Sequence, residues 1–196
     1  MTPSIGLIVE GHGEVRAAPV LIRRIAAEQL QRALPRLRDP PLRVPKTRLQ
    51  RPGELERAVE LLSIQVGPLG GVLVLLDSDT DCPVKLADEL RTRARAARPD
   101  RCIEVAVAKF EFEAWLIAGL GEPDLMVDTV DPSRGPPDCE SLRDAKGWLR
   151  VRRSVGYQPT VDQEPLVRRL KLPLVAARSR SFRALVNCVD RLTAES

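Results

Sequence analysis

The feature that most constrains the fold is an apolar run of five residues, 72–76, which follows two glycines and ends at Asp77. Five residues are too few for a helix, and β-branched side chains occur at alternate positions. Such a run is typical of a strand buried on both faces of a parallel sheet. Asp77, Asp79 and Asp81 would then lie at the carboxyl edge of the sheet, where open α/β folds bind their ligands.

These three aspartates predict a metal site. Carboxylates this close together repel one another unless they are protonated or share a cation. His12 is the only histidine and the four cysteines are widely spaced, which disfavours both zinc and a disulfide framework. Oxygen ligands suit a hard divalent cation, so we expect Mg²⁺ or Mn²⁺. The alternative, in which the aspartates cap the next helix or solvate a turn, stays open.

A second acidic strand end lies near the N-terminus. The apolar run 5–9 is followed by Glu10, a Gly-His-Gly turn and Glu14, and then by a helical pattern. The turn has neither the third glycine of a dinucleotide-binding loop nor the Gly-Lys-Ser/Thr of a P-loop. Glu10 and Glu14 are therefore candidate metal ligands. For Glu14, a role as a first-turn acid that complements the helix dipole explains the position equally well.

The remaining pattern predicts an α/β fold with a mostly parallel four-stranded sheet flanked by helices. A proline-rich connection covers 35–41, and the further elements are a second strand at 42–49, helices at 52–66 and 83–97, and a fourth strand at 103–108. Glu111 and Glu113 follow that strand, and we expect Glu113 to face the site, with Trp115 in the core. The alternative is one surface acid and one helix cap.

The C-terminal part is basic and is predicted to be helical. After a proline- and glycine-rich break at 131–137, helices are predicted at 140–151, 164–170 and 181–192, so we divide the chain into an α/β domain, 1–130, and a helical extension packed on it, 138–196. Between Arg143 and Arg191, twelve Lys/Arg face four Asp/Glu. This excess suits a polyanion, although a solvated helical surface explains it as well. The candidate nucleic-acid-binding residues are Arg150, Arg152, Arg153, Arg178 and Arg180.

The absence of an apolar run of 18 residues and of a signal-peptide pattern favours a cytoplasmic protein with no membrane contact. The sequence is compatible with an oligomer as well as with a monomer.

The acidic motifs resemble a known family. Glu10-Gly11 after a first strand and Asp77-Ser78-Asp79 after a later one are similar to the TOPRIM pattern of primases, topoisomerases and OLD-type nucleases. The likeness continues through the segments 112–116, 144–146 and 181–182, which together resemble a bacterial TOPRIM-like family catalogued as domain of unknown function 4276. Each motif is short, but their order and spacing span nearly the whole chain.

The resemblance implies a metal-dependent nuclease, with DNA favoured over RNA as the substrate. Asp77 and Asp79 would hold the metal, Glu10 would share it or act as general acid/base, and a second metal would draw on Glu14, Asp81 or Glu113. Lys146 is the candidate that stabilises the leaving oxygen. The family further implies an ATPase partner and a role in phage defence. The rival interpretation is a non-catalytic TOPRIM-like module that binds metal or nucleic acid and regulates such a partner.

Other acidic motifs fit less well. An EF-hand requires glycine where Cys82 stands and a helix where the buried strand is predicted. A phosphatase of the haloacid dehalogenase kind requires threonine at the position of Asp81, and it places its motif after the first strand. Topoisomerase chemistry needs a nucleophilic tyrosine on a further domain, whereas the single tyrosine, Tyr157, lies in an ordinary-looking loop. A primase needs template-binding domains for which the chain has no room.

Overall fold

A computed structural model describes residues 2–120, 138–153 and 155–194. The predicted α/β class is confirmed: a parallel sheet is flanked by helices, with further helices in the C-terminal part. The sheet has five strands in the described residues, and their bounds are β1 Ser4–Val9, β2 Arg36–Leu37, β3 Leu42–Arg43, β4 Gly71–Asp77 and β5 Ile103–Ala108.

The central strands run in one direction and end at one edge. The order is β2-β1-β4-β5, and every pairing is parallel. Val9 of β1 pairs with Leu75 of β4, and Asp77 pairs with Ala108 of β5. The register therefore brings the residues that follow β1, β4 and β5 to the same carboxyl edge.

The edge beside β1 differs from the prediction. The predicted strand 42–49 is wrong beyond β3, because α2, Lys46–Leu49, is a short helix. The proline-rich connection also contains β2, which was not predicted. β2 pairs with the start of β1 and β3 pairs with its end, so the two short strands share one edge position. Prolines between them lack the N–H needed for a sheet ladder, which explains the interruption.

The helices of the first half surround the sheet. Helix α1, Glu14–Arg24, continues into a π-helical turn, Ile25–Gln29. Helix α3, Glu54–Gln65, precedes β4, and helix α4, Pro83–Ala97, follows it. The bounds of α4 are those predicted from the sequence. Helix α5, Glu113–Gly119, begins five residues after β5 ends.

The C-terminal part contains four helices in its described residues. They are α6 Ala145–Arg152, α7 Pro159–Arg169, α8 Leu172–Arg178 and α9 Arg180–Thr193. Helix α6 begins later than predicted because Asp144 caps it, accepting a hydrogen bond from the Gly147 N–H at 2.8 Å. Helix α8 was not predicted. The predicted break at 131–137 and the domain boundary beside it lie outside the described residues.

Side chains alternate between two apolar layers. Ile5, Leu7 and Val9 of β1 enter the layer formed with α1 and α5 to α9, whereas Ile8 enters the layer formed with α3 and α4. The same alternation in β4 explains why all seven of its residues are buried. The basic C-terminal helices therefore complete one of the two layers. Within the described residues, no helix combines the length and the apolar character needed to cross a membrane.

Arginines cover the free edge of β5. Glu104 is fully buried there and pairs with Arg95 at 2.6 Å and Arg191 at 2.8 Å. Arg95 Nε and Arg91 also donate to the carbonyls of Ile103 and Val105, at 3.0 and 3.4 Å. These bonds satisfy an otherwise open strand edge, so part of the positive charge of the chain has a structural role.

An aromatic cluster joins α5 to α9. Trp115 is fully buried, as expected, and its ring centroid lies 5.2 Å from that of Phe112 and 5.6 Å from that of Phe182. The indole N–H donates to Ser181 Oγ at 2.9 Å. This contact anchors the last helix beside the carboxyl edge of the sheet.

Trp115→Ala should lower the free energy of unfolding by about 3–5 kcal/mol, because it removes a buried ring and leaves a cavity. Trp148→Ala is the matched control, since Trp148 is only partly buried on α6. Urea unfolding of both variants measures the difference. Equal losses in the two variants would contradict the assignment of Trp115 as the anchor.

Candidate functional site

The carboxyl edge gathers acidic side chains and lysines from several elements. Glu10 follows β1, Asp77 ends β4, and Glu111 and Glu113 lie between β5 and the first turn of α5. Lys146, in the first turn of α6, reaches the same edge from the C-terminal part. The residues that follow β1, β4 and β5 lie close together because these strands are neighbours in the sheet and run in the same direction.

Asp77 is buried, with 9% of its surface exposed. Its Oδ1 accepts a hydrogen bond from the Phe112 N–H at 2.7 Å. Its Oδ2 lies 3.5 Å from Lys146 Nζ. One oxygen is therefore fixed by the backbone and the other faces the lysine.

Glu113 has the same division of roles. The residue is fully buried, and its Oε1 accepts hydrogen bonds from Tyr157 Oη at 2.9 Å and Gln163 Nε2 at 3.3 Å. Its Oε2 lies 3.6 Å from Lys146 Nζ and has no hydrogen-bond donor among the described residues. A buried carboxylate oxygen without a donor is costly, and the Lys146 ammonium is the cation that faces it.

Lys146 lies among three carboxylates. Besides the oxygens of Asp77 and Glu113, Glu111 Oε1 is 3.2 Å from Nζ. These separations exceed the roughly 2.7–2.9 Å of a charge-assisted hydrogen bond. Glu111 Oε2 also accepts from the backbone N–H of Lys146 at 2.9 Å, which fixes the start of α6. We call this group, Asp77, Glu111, Glu113 and Lys146, the Lys146 centre.

The electrostatics of the Lys146 centre favour extra positive charge. Burial raises the pKa of Asp77 well above its usual value, and the nearby Glu14, Glu113 and Glu10 raise it further against the effect of Lys146. Burial likewise raises the pKa of Glu113. Burial alone would lower the pKa of Lys146, but the three carboxylates raise it above its usual range. One ammonium therefore only partly offsets the negative charge.

A second lysine organises the other aspartates. Lys46 of α2 is nearly buried and pairs with Asp79, and its Nζ lies 3.4 Å from Asp81 Oδ2 and 3.1 Å from the Ser78 carbonyl. Glu10 lies beside this group and accepts from the Asp77 N–H at 3.4 Å. Burial raises the pKa of Glu10, and the charge of Asp79 adds to the effect.

Five of the six predicted metal ligands lie in two groups, and Glu14 lies apart from both. Asp77 and Glu113 belong to the Lys146 centre, whereas Asp79 and Asp81 face Lys46 with Glu10 beside them. Glu14, the first residue of α1, is buried and accepts a hydrogen bond from the Gly11 N–H, which ties it to the turn after β1. Its charge still acts on Asp77.

The predicted nucleic-acid-binding arginines lie in different surroundings. Arg150, Arg178 and Arg180 are exposed. Arg153 pairs with Asp162 at 3.0 Å, and Arg178 donates to the Ala118 carbonyl at 3.2 Å. Arg152 lies over the Trp148 ring, 4.8 Å from its centroid. Arg150 and Arg180 are therefore the two of the five with the most accessible charge.

Four residues that contribute to these contacts were not predicted as site residues: Lys46, Glu111, Tyr157 and Gln163. Glu111 had a signal, because it lies two residues before Glu113 after a strand. Lys46 lies in a segment interpreted as a strand, and Tyr157 in one interpreted as an ordinary loop. Nothing in the local sequence around Lys46 or Tyr157 indicates that the fold brings these residues to the carboxyl edge.

The donor atoms of the Lys146 centre are of the type that Mg²⁺ prefers, but they are not arranged at coordination distances. Carboxylate oxygens are the preferred protein ligands of Mg²⁺, and Glu113 Oε2 has no hydrogen-bond donor among the described residues. The described residues contain no group of three His, Cys, Asp or Glu already arranged to hold a metal. Since Mg²⁺–oxygen distances are about 2.0–2.1 Å, the ammonium must leave and the side chains must move, or water must fill the gap.

Comparison of the chain with protein-family models, curated proteins and solved structures found no significant match in any of the three. The TOPRIM resemblance therefore stays a prediction. The function has to be inferred from the geometry.

Asp77→Asn should stabilise the protein at neutral pH relative to wild type. A carboxyl whose pKa is raised on folding stabilises the fold while protonated, and the wild type loses this contribution as pH rises from its ordinary value of 3.8 towards the raised one. Asparagine keeps the Oδ1 acceptor for Phe112 without the charge.

Denaturant unfolding between about pH 4 and pH 8 checks the sign. The gain of the variant should grow with pH, and Glu113→Gln should follow the same trend because burial also raises the pKa of Glu113. A difference that stays constant across this range, or that favours the wild type, would contradict the account.

Proposed function

We propose that the protein is a Mg²⁺-dependent nuclease that hydrolyses phosphodiester bonds at the Lys146 centre. The observation that carries the proposal is the convergence of three carboxylate oxygens, at 3.2–3.6 Å, on one ammonium at the carboxyl edge of a parallel sheet. One of them, Glu113 Oε2, is buried without a donor. Ligand sites of open α/β folds occur at this edge.

Each residue of the centre has a role in this proposal. Asp77, Glu111 and Glu113 would hold the metal, and Tyr157 and Gln163 keep Glu113 oriented through its other oxygen. When bound, Mg²⁺ supplies Lewis-acid polarisation of the phosphoryl group and activation of water. Lys146, once displaced from the carboxylates, carries positive charge to the leaving oxygen. Glu10, beside Asp77, is the proposed proton acceptor.

Positive charge around the acidic edge supports a polyanionic substrate. Arg143, Arg150 and Arg180 are exposed on the C-terminal part, which also supplies Lys146. Arginines bind phosphate oxygens and release counterions on doing so. We retain DNA over RNA as the proposed substrate on the family resemblance, which is also the sole basis for an ATPase partner and a role in phage defence.

A second candidate function is a non-catalytic, metal- or nucleic-acid-binding regulatory module. The observation that favours it is that two lysines already neutralise part of the acidic edge, Lys146 in its centre and Lys46 beside Asp79 and Asp81. Such internal ion pairs can serve the fold alone. Metal binding without cleavage would favour this function.

The nuclease proposal is tested by incubating the protein with plasmid DNA, linear DNA and RNA in Mg²⁺ or Mn²⁺, with EDTA as a control. Asp77→Asn, Glu111→Gln and Glu113→Gln should each reduce cleavage about 100-fold or more, since each removes a charge that acts on the reacting group. Asp88→Asn is the matched control, because Asp88 is an exposed acid on α4, and it should cleave like wild type.

Cleavage that persists in EDTA, or that survives all three substitutions, would contradict the proposal. Absence of cleavage together with metal binding by calorimetry would support the regulatory module instead.

A further inference from the structure

Phe110 adopts an unusual backbone conformation beside the Lys146 centre. Its φ is 61°, in the left-handed region, which glycine and asparagine adopt more readily than phenylalanine. It immediately precedes Glu111, and its ring is only partly buried. A bulky aromatic residue in this conformation is costly, and such strain persists where the surrounding structure imposes it.

Hydrogen bonds from the neighbouring acidic loop impose that conformation. The Phe110 N–H donates to Ser78 Oγ at 2.7 Å, and its carbonyl accepts from the Asp79 N–H at 3.0 Å. The loop after β5 is thereby tied to the loop after β4. The backbone of Phe110 is therefore fixed beside the acidic edge.

Two cations lie over this ring. Lys109 Nζ is 4.0 Å from the ring centroid, and Arg143 Cζ is 5.6 Å from it. Both distances allow a cation–π interaction. Arg143 is exposed and Lys109 is partly exposed, so both side chains can turn towards a ligand without leaving a buried position.

The use of the other aromatic residues makes Phe110 distinctive. The chain has six aromatic residues, of which Phe112, Trp115, Tyr157 and Phe182 are buried in the core. Phe110 and Trp148 are the partly exposed pair. Of these two, Phe110 immediately precedes Glu111 of the Lys146 centre and is hydrogen-bonded to the loop that follows Asp77.

We propose that Phe110, Lys109 and Arg143 form a binding subsite for an unpaired nucleotide, which makes single-stranded nucleic acid the substrate class of the Lys146 centre. The base would stack on the ring in place of one cation, and the two cations would contact the flanking phosphates. The inference rests on the proposed function, because the subsite would hold the strand that the Lys146 centre cleaves.

The preference for an unpaired strand follows from geometry. Bases within a duplex are stacked on one another, so they present edges rather than faces to a protein. A single aromatic ring between two cations matches one exposed base between two phosphates. Duplex binding would depend on phosphate contacts alone, with no gain from the ring.

Binding in EDTA tests the subsite without cleavage or metal. Fluorescence anisotropy would compare a labelled single-stranded oligonucleotide with a hairpin duplex of the same length. Phe110→Asn removes the ring and tolerates the left-handed backbone, and it should weaken single-strand binding about tenfold while duplex binding stays within about twofold. Phe110→Trp should restore the affinity.

Two further variants sharpen the test. Arg143→Gln should weaken binding of both nucleic acids and reduce the salt dependence by about one phosphate contact. Trp148→Leu is the control, since it removes the other partly exposed ring, and it should bind like wild type.

Equal losses for single strand and duplex in Phe110→Asn would overturn the subsite, as would the same loss in Trp148→Leu. A wild-type protein that binds neither nucleic acid would instead overturn the proposed nuclease function. Cleavage of nucleic acid by a Phe110→Asn variant with unchanged single-strand affinity would leave the nuclease standing and remove the subsite alone.

Discussion

The electrostatic balance around Lys146 is the interaction on which the carboxyl edge depends. Asp77 and Glu113 are buried, and each uses one oxygen for fixed hydrogen bonds and turns the other towards the ammonium. Buried carboxylates without a counter-charge are strongly unfavourable. A cation at this point offsets part of that cost, and the lysine supplies it while leaving distances longer than those of strong hydrogen bonds.

The architecture explains how distant segments reach this point. Parallel pairing of β1, β4 and β5 aligns their ends, and the Trp115 cluster fixes α9 beside them. The C-terminal part contributes more than positive charge, because it supplies Lys146 and the partners of Glu113. A centre built from both parts of the chain needs both to be folded, so loosening the C-terminal helices would open the acidic edge as well as the basic surface.

The sequence was sufficient for features that depend on local pattern. The apolar run 72–76 predicted the buried strand and its aspartate end, and the bounds of α4 follow from its proline start and helical periodicity. Contacts between distant segments were beyond local pattern. The role of Lys46 depends on a strand that stops after Arg43, and that of Tyr157 on its hydrogen bond to Glu113, 44 residues away in the sequence. Neither role follows from the secondary-structure propensity of the local sequence, so neither could be predicted from it.

The most direct test of the central claim is calorimetric titration of Mn²⁺ and Mg²⁺ into wild type and Lys146→Met. The ammonium of Lys146 occupies the position of the proposed metal, so the variant should bind the metal more tightly than wild type. A raised melting temperature in the presence of metal should accompany tighter binding. Absence of metal binding in both proteins, or weaker binding in Lys146→Met, would contradict a metal site at the Lys146 centre.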